Sequence, residues 1–142
     1  MQKYPVSVEI SVQWGELDAL GHVNHTRFLV WMETARMSLF ERIGLAWKDQ
    51  PEMGPILAKA EVNYQAPVHF PATIRCSVGV DHIGHKSFVL QYVLTRLDTD
   101  ICVAVGRTVI VLFDYTRGST VSIPEDLRVH LEAATVETSG TM

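Results

Sequence analysis

One segment of the chain, residues 26–44, carries apolar side chains at helical spacing over a wide face. Five apolar residues recur at steps of three and four, and three more widen the stripe. The first set is Phe28, Met32, Ala35, Leu39 and Ile43, and the second is Leu29, Trp31 and Phe40. A helix with so broad an apolar face must be covered by other structure on most sides. Gly44 is a typical stop signal, so the spacing predicts a helix that ends there.

Segments on both sides of this helix have the patterns of β-strands. Residues 6–14 alternate between apolar and polar positions, as in a half-buried strand. A less regular segment near 56–64 precedes two alternating runs, 74–80 and 88–94. Residues 101–113 are apolar at nearly every position, as in a strand buried on both faces. The order predicts an α+β fold, in which an antiparallel five-stranded sheet curls around one long central helix.

The composition excludes several classes of function. The chain has 142 residues and a formal net charge of -4, with 12 basic and 16 acidic side chains. This balance gives no basic footprint for nucleic acid. No stretch has the roughly 20 apolar residues of a membrane span. The length suits one domain, which we expect to cover residues 1–131, and the small polar residues 132–142 are expected to be a disordered tail.

The two cysteines, Cys76 and Cys102, lie far apart and form no CxxC pattern. Both fall in segments with strand patterns, so we expect buried free thiols in a reducing compartment. The N-terminal residues lack the unbroken apolar core of a signal peptide. The sequence therefore predicts a cytoplasmic protein.

The connection between the first strand and the helix, "WGELDALGHVNH" at residues 14–25, holds many groups capable of chemistry. Its carboxylates are Glu16 and Asp18, and Asp18 precedes a glycine turn that leads into the helix. Amides at a helix N-terminus are unpaired donors that can hold an anion or a developing oxyanion. A carboxylate facing them would form a pair suited to acyl transfer, without serine or metal. The alternative is that Asp18 only caps the helix or forms the turn.

Other groups in the chain allow further interpretations. A metal site could use Asp18, His22 and His25, although their spacing crosses a turn of unknown geometry and no later histidine lies in a recognisable ligand motif. Glu33 and Arg36 are three residues apart on the helix and could form an ion pair. The alternative is that Glu33 lies near the reacting centre. The turn "GHKS" places Lys86 and Ser87 where they could meet phosphate groups. The sequence has no GxxxxGK, no GxGxxG after a strand and no GxSxG.

These residues together resemble one known family. The run "WGELDALGHVNHTRFLVWMETAR" is similar to the hot-dog-fold acyl-CoA thioesterases of the 4-hydroxybenzoyl-CoA thioesterase-like group. Their pattern is an acidic residue, any one residue, then Asp-x-x-Gly-His-Val-Asn, followed by a helix with Glu-x-x-Arg. The segments "GPILAKAEVNYQAPVHFPATI", "VDHIGHKSFVLQY" and "SIPEDL" resemble later parts of the same family. The resemblance covers the chain from Tyr4 to about Leu131.

The resemblance implies roles for individual residues. Asp18 matches the carboxylate that attacks the thioester or activates water, and the backbone N–H near His25 matches the oxyanion donor. Glu33 matches an acidic helix position of many members, and Lys86 and Ser87 match a region that contacts coenzyme A in some relatives. Further substrate contacts are assigned to Asn24 and Phe28. The apolar residues near the start of the helix, Phe28, Trp31 and Met32, favour a fatty or aromatic acyl group.

The resemblance also implies partners and leaves rival functions open. Members act as homodimers or dimers of dimers with sites at the dimer interface. They need no cofactor, because coenzyme A is part of the acyl-CoA substrate. The rivals are a non-catalytic acyl-CoA or acyl-carrier binding module, a metal-dependent hydrolase using Asp18, His22 and His25, and a dehydratase or hydratase of the same fold.

Overall fold

The computed structural model describes residues 2–45 and 52–138. Its main sheet contains five long strands, all antiparallel to their neighbours, in the order β2-β4-β5-β6-β3. Their bounds are β2 Val6–Ser11, β3 Met53–Tyr64, β4 Thr73–Ile83, β5 Ser87–Arg96 and β6 Ile101–Asp114. The short strand β7, Ser119–Thr120, adds to β6. The five-stranded antiparallel sheet predicted from the alternating segments is therefore confirmed.

The long helix α1, Thr26–Arg42, lies against this sheet and contacts β2 and β4. All five residues of the predicted apolar face are buried, and so are Trp31 and Phe40. Gly106 of β6 leaves room for the Met32 side chain of the helix, because a Cβ at position 106 would lie 2.7 Å from the Cε atom of Met32. Helix α1 ends before Gly44, which has a φ of +79°. The predicted helix is thus confirmed, and it forms the centre of the core.

The two ends of the described chain pair with each other beside β4. Strand β1, Gln2–Lys3, pairs with β8, Glu137–Thr138, and the second helix α2, Glu125–Ala133, precedes β8. The backbone of Val80 in β4 bonds to this segment, because its N–H donates to Ala134 and its carbonyl accepts from Val136, both at 2.9 Å. These bonds form a parallel bridge between Val80 and Thr135, which holds the C-terminal segment alongside β4.

Three expectations differ from the structure. The first strand ends at Ser11 rather than Trp14, because residues 14–16 form a 3-10 turn that leaves Trp14 74% exposed. Leu29 of α1 is 41% exposed rather than buried. Residues 132–138, expected to be disordered, include the end of α2 and the paired strand β8, while 139–142 lie outside the described residues.

Candidate active site

The first carboxylate of the connecting loop, Glu16, is bound on both oxygens. Its Oε1 accepts a hydrogen bond from the backbone N–H of Gln13 at 2.7 Å. Its Oε2 accepts one from the indole Nε1 of the buried Trp31 at 3.1 Å. The Glu16 carbonyl also accepts from the N–H of Asn24 at 2.9 Å. Glu16 therefore ties the loop to α1, and both oxygens of its side chain already accept hydrogen bonds.

The second carboxylate, Asp18, is bound on one oxygen only. Its Oδ1 accepts from the backbone N–H groups of Leu20 at 2.9 Å and His22 at 3.3 Å. The turn is closed by two backbone bonds, from Asp18 N–H to the His22 carbonyl and from Gly21 N–H to the Asp18 carbonyl. Gly21 has a φ of +82°, which glycine adopts without strain. Within the described part of the chain, Oδ2 accepts no hydrogen bond, and the exposed side chain borders a cleft.

The start of α1 supplies a backbone donor at the same cleft. The side chain of Asn24 caps the helix, since its Oδ1 accepts from the N–H of Thr26 at 2.9 Å and from its hydroxyl at 2.7 Å. The backbone N–H of His25 has no partner among residues 2–45 and 52–138. Because the first amides of a helix carry partial positive charge, this N–H is suited to hold an oxyanion.

Asp18 and His25 border the same open cleft, which has a volume of about 390 Å³. One wall comes from the loop and the helix start, including His22 and the edge of the buried Phe28. The other wall is the chain that leaves β3, from Tyr64 to Val68. The cleft therefore joins a free carboxylate oxygen, a free amide and an apolar wall. This arrangement can activate water or attack a carbonyl and stabilise the resulting negative charge.

Several predicted site residues lie outside this cleft. The Asn24 side chain serves as the helix cap, and Trp31 and Met32 are core residues with exposures of 2% and 0%. Glu33 lies eight residues beyond His25, or about 12 Å along the helix axis. It borders a second cleft and faces Arg36 at 3.8 Å, which is the ion pair considered from the spacing.

Lys86 and Ser87 lie at the far end of the sheet from the loop. Strand β2 leads into the loop, and its last residue, Ser11, pairs with Thr73 at the start of β4. The turn containing Lys86 follows the end of β4 at Ile83. The ten steps from Thr73 to Ile83 correspond to roughly 33 Å along the strand. One chain therefore does not bring Lys86 and Asp18 into the same site.

The histidines of the loop do not form a recognisable metal site. Asp18, His22 and His25 border the same cleft, and the His22 ring packs edge-on against His69 with centroids 4.7 Å apart. Within the described residues, no three His, Cys, Asp or Glu side chains are grouped so that they could hold a metal ion. The geometry does not favour the metal-dependent interpretation.

The cleft contains one residue that the sequence did not identify as part of the site. Tyr64, the last residue of β3, donates its hydroxyl hydrogen to the carbonyl of His25 at 3.0 Å. The available signal was an aromatic residue at the end of a strand, directly before Gln-Ala-Pro. Nothing in that pattern indicates contact with a residue 39 positions earlier, because the contact depends on where the fold places the end of β3 relative to the start of α1.

Comparison with known proteins gives consistent matches. The family described as the thioesterase-like superfamily matches residues 12–131. A Bacillus subtilis protein named "Putative acyl-CoA thioesterase YneP" is 34% identical over 82 residues, which are 56% of this chain and 59% of that protein. The long-chain acyl-CoA thioesterase FadM of Escherichia coli is 23% identical over 128 residues, covering 89% of this chain and 97% of FadM.

A solved structure supports the same relationship. A thioesterase of Thermus thermophilus, crystallised with coenzyme A and zinc, is 30% identical with a TM-score of 0.82, and the match covers 92% of this chain and 94% of that one. This likeness confirms the predicted hot-dog fold. No helix in the described part of the chain is long and apolar enough to cross a membrane.

Proposed function

The chain belongs to the thioesterase-like superfamily, and we propose that it hydrolyses the thioester bond of an acyl-coenzyme A. The observation that carries the proposal is that Asp18 and His25 line one cleft, where Oδ2 of Asp18 and the N–H of His25 have no hydrogen-bond partner among the described residues. A thioester carbonyl is already reactive and its thiolate leaves readily. One carboxylate and a preorganised amide can therefore be sufficient.

Two routes fit this geometry. In the first, Oδ2 of Asp18 takes a proton from water, whose oxygen adds to the carbonyl carbon. In the second, Oδ2 itself attacks the carbon and gives a mixed anhydride that water then hydrolyses. In both, the carbonyl oxygen becomes negative beside the His25 N–H, the C–S bond breaks, and coenzyme A leaves as a thiolate that takes up a proton.

The test is hydrolysis of a panel of acyl-CoAs, followed by release of free thiol, in the wild type and in Asp18→Asn. Asparagine keeps Oδ1 for the two turn bonds, so the loop should fold normally. Loss of the carboxylate should lower kcat/KM by about 10²–10⁴. The matched control is Asp114→Asn, because Oδ1 of Asp114 also accepts two backbone bonds, from Thr116 and Arg117.

The outcomes separate the proposal from its rivals. Near-normal turnover by a folded Asp18→Asn protein would contradict the assigned role. Binding of acyl-CoA without thiol release would indicate a binding module, and turnover of enoyl-CoA in place of thiol release would indicate a hydratase. Activity that is lost on treatment with a chelator would restore the metal-dependent alternative.

The wall of the cleft favours a fatty or aromatic acyl group. Phe28 and Tyr64 pack edge-on at 5.0 Å, and both border the cleft together with Ala66, Pro67 and Val68. The relative FadM is a long-chain acyl-CoA thioesterase, which agrees with an apolar acyl group. The panel should therefore include saturated chains of several lengths and an aromatic acyl-CoA.

The proposed enzyme is a homodimer or a dimer of dimers. Strand β3 is an edge of the main sheet and is 12 residues long, so its outer backbone groups are unpaired within the described part of the chain. Ile56 and Leu57 on β3 are exposed, as are Leu29 and Val30 on α1. Long edges and apolar patches of this kind are typical of interfaces. Leu57→Glu should shift the mass measured by light scattering toward one chain, and an unchanged mass would remove β3 from the interface.

Assembly would also decide whether Lys86 and Ser87 contact coenzyme A. They lie roughly 33 Å along β4 from the loop, so we propose that they contact a substrate bound at Asp18 of another subunit. We further expect the enzyme to act in the cytoplasm, because Cys76 and Cys102 are both free thiols.

A further inference from the structure

The start of α1 is held from outside by a tyrosine of the sheet. The carbonyl of His25 accepts a 3.0 Å hydrogen bond from the hydroxyl of Tyr64, and a longer one of 3.3 Å from the N–H of Phe28. The shorter bond comes from the last residue of β3. The first turn of the helix is therefore held by a bond to the sheet as well as by its own backbone bonds.

The ring of Tyr64 is also placed by packing. It lies edge-on to Phe28, with ring centroids 5.0 Å apart, and edge-on to the His25 ring at 6.2 Å. The side chain is about half exposed and forms part of the cleft wall. Burial raises the pKa of the Tyr64 hydroxyl above its usual value. The hydroxyl is thus protonated at neutral pH and serves as a donor.

Two hydrogen bonds, one to Tyr64 and one to the Glu16 carbonyl, hold the backbone groups on either side of the His25 N–H. On one side, the N–H of Asn24 is held by the carbonyl of Glu16 at 2.9 Å. On the other side, the His25 carbonyl is held by Tyr64. His25 itself has helical dihedrals, φ -56° and ψ -28°, and its side chain makes no capping bond. The direction of the His25 N–H therefore depends on these two neighbouring anchors.

We propose that Tyr64 is a positioning residue, whose hydroxyl holds the His25 carbonyl so that the His25 N–H points at the thioester oxygen. This inference rests on the proposed thioesterase function. Tyr64 exchanges no proton and forms no bond with the substrate in this role. Tyr64 limits the motion of the His25 N–H. This donor stabilises the oxyanion best when it is already in position before the negative charge develops.

The test compares Tyr64→Phe with Tyr115→Phe. Phenylalanine keeps the ring and its packing but removes the hydroxyl. Tyr115 is a matched control, since its exposure is 51% against 47% for Tyr64 and its hydroxyl also donates to a backbone carbonyl, that of Pro55. Tyr64→Phe should lower kcat about tenfold and leave KM within about twofold, because misplacement acts on the transition state. Tyr115→Phe should leave both constants unchanged.

Three kinetic results would overturn the inference. One is an unchanged kcat in Tyr64→Phe, and another is a raised KM with unchanged kcat, which would make Tyr64 a simple binding contact. The third is loss of the alkaline limb of the pH–rate profile, which would make Tyr64 a proton donor. A positioning residue lowers the whole profile without changing its shape.

A second measurement does not depend on activity. Amide hydrogen exchange at residues 26–28, whose N–H groups are hydrogen-bonded, should become several-fold faster in Tyr64→Phe and stay the same in Tyr115→Phe, with both proteins folded by circular dichroism. Equal exchange in both variants would contradict the anchor even if no acyl-CoA were hydrolysed. Conversely, faster exchange in a protein that hydrolyses nothing would retain the anchor and reject the proposed function.

Discussion

Replacing Glu16 by glutamine should weaken folding and leave catalysis intact, in contrast to the same chemical change two residues later at Asp18. The Glu16 carboxylate accepts bonds from the N–H of Gln13 and from the indole of Trp31, at 2.7 and 3.1 Å. Glutamine keeps one oxygen but presents an NH₂ group to the second donor. One of the two hydrogen bonds is therefore lost, and two donors face each other.

The expected cost follows from the loss of one bond to a charged acceptor. Such bonds contribute about 1.5–3 kcal/mol, and a buried donor left without an acceptor adds a desolvation penalty. The Trp31 indole is the buried partner, with a residue exposure of 2%. Glu16 itself is only half-buried, which reduces the charge contribution. We expect a loss of about 2 kcal/mol in the free energy of unfolding.

The assay is urea unfolding of the wild type, Glu16→Gln, Trp31→Phe and the double variant. The coupling between Glu16 and Trp31 should be about 1–2 kcal/mol, because the double variant has no indole donor left to satisfy. The kcat/KM of folded Glu16→Gln should stay within about threefold of the wild type. A loss of activity as large as that of Asp18→Asn, or a stability change below about 0.5 kcal/mol, would refute this reasoning.

Two further predictions concern the core and the C-terminal segment. Burial raises the pKa of the Cys76 thiol to about 12, above its ordinary value of 9.0. Because the folded chain keeps this proton while the unfolded chain loses it, stability is complete below pH 9 and falls between pH 9 and 12, by at most about 1.4 kcal/mol per pH unit. Urea unfolding should show a steeper fall for the wild type than for Cys76→Ala, and equal slopes would contradict the assignment. Gly79→Ala places a Cβ 2.6 Å from Val136, so it should release residues 134–138, detected as faster amide exchange there, whereas unchanged exchange would contradict this packing.

The elements with regular periodicity were predictable from the sequence. The apolar face of α1 and the alternation in β4 and β5 are local patterns that burial imposes directly on the sequence. Trp14 shows where this reasoning fails. It continues the alternation of β2, but the bond from Gln13 N–H to Glu16 turns the chain and leaves the indole outside.

The residues that line the cleft were only partly predictable from the sequence. Asp18 and His25 lie in one loop, so their proximity follows from chain continuity. Tyr64 joins them because the end of β3 meets the start of α1, and Lys86 is separated from them by the length of β4. Both relations are long-range, and neither leaves a local pattern in the sequence.

The two interpretations of Asp18, turn former and reacting carboxylate, are compatible. A short side chain is needed for Oδ1 to reach the N–H groups of Leu20 and His22, and those two bonds fix the direction of Oδ2. The turn therefore holds the carboxylate in place and leaves one oxygen available to a substrate. Glu16 has the same functional group in the same loop, but both of its oxygens are bound. In this loop, the number of oxygens already accepting hydrogen bonds distinguishes the structural carboxylate from the candidate catalytic one.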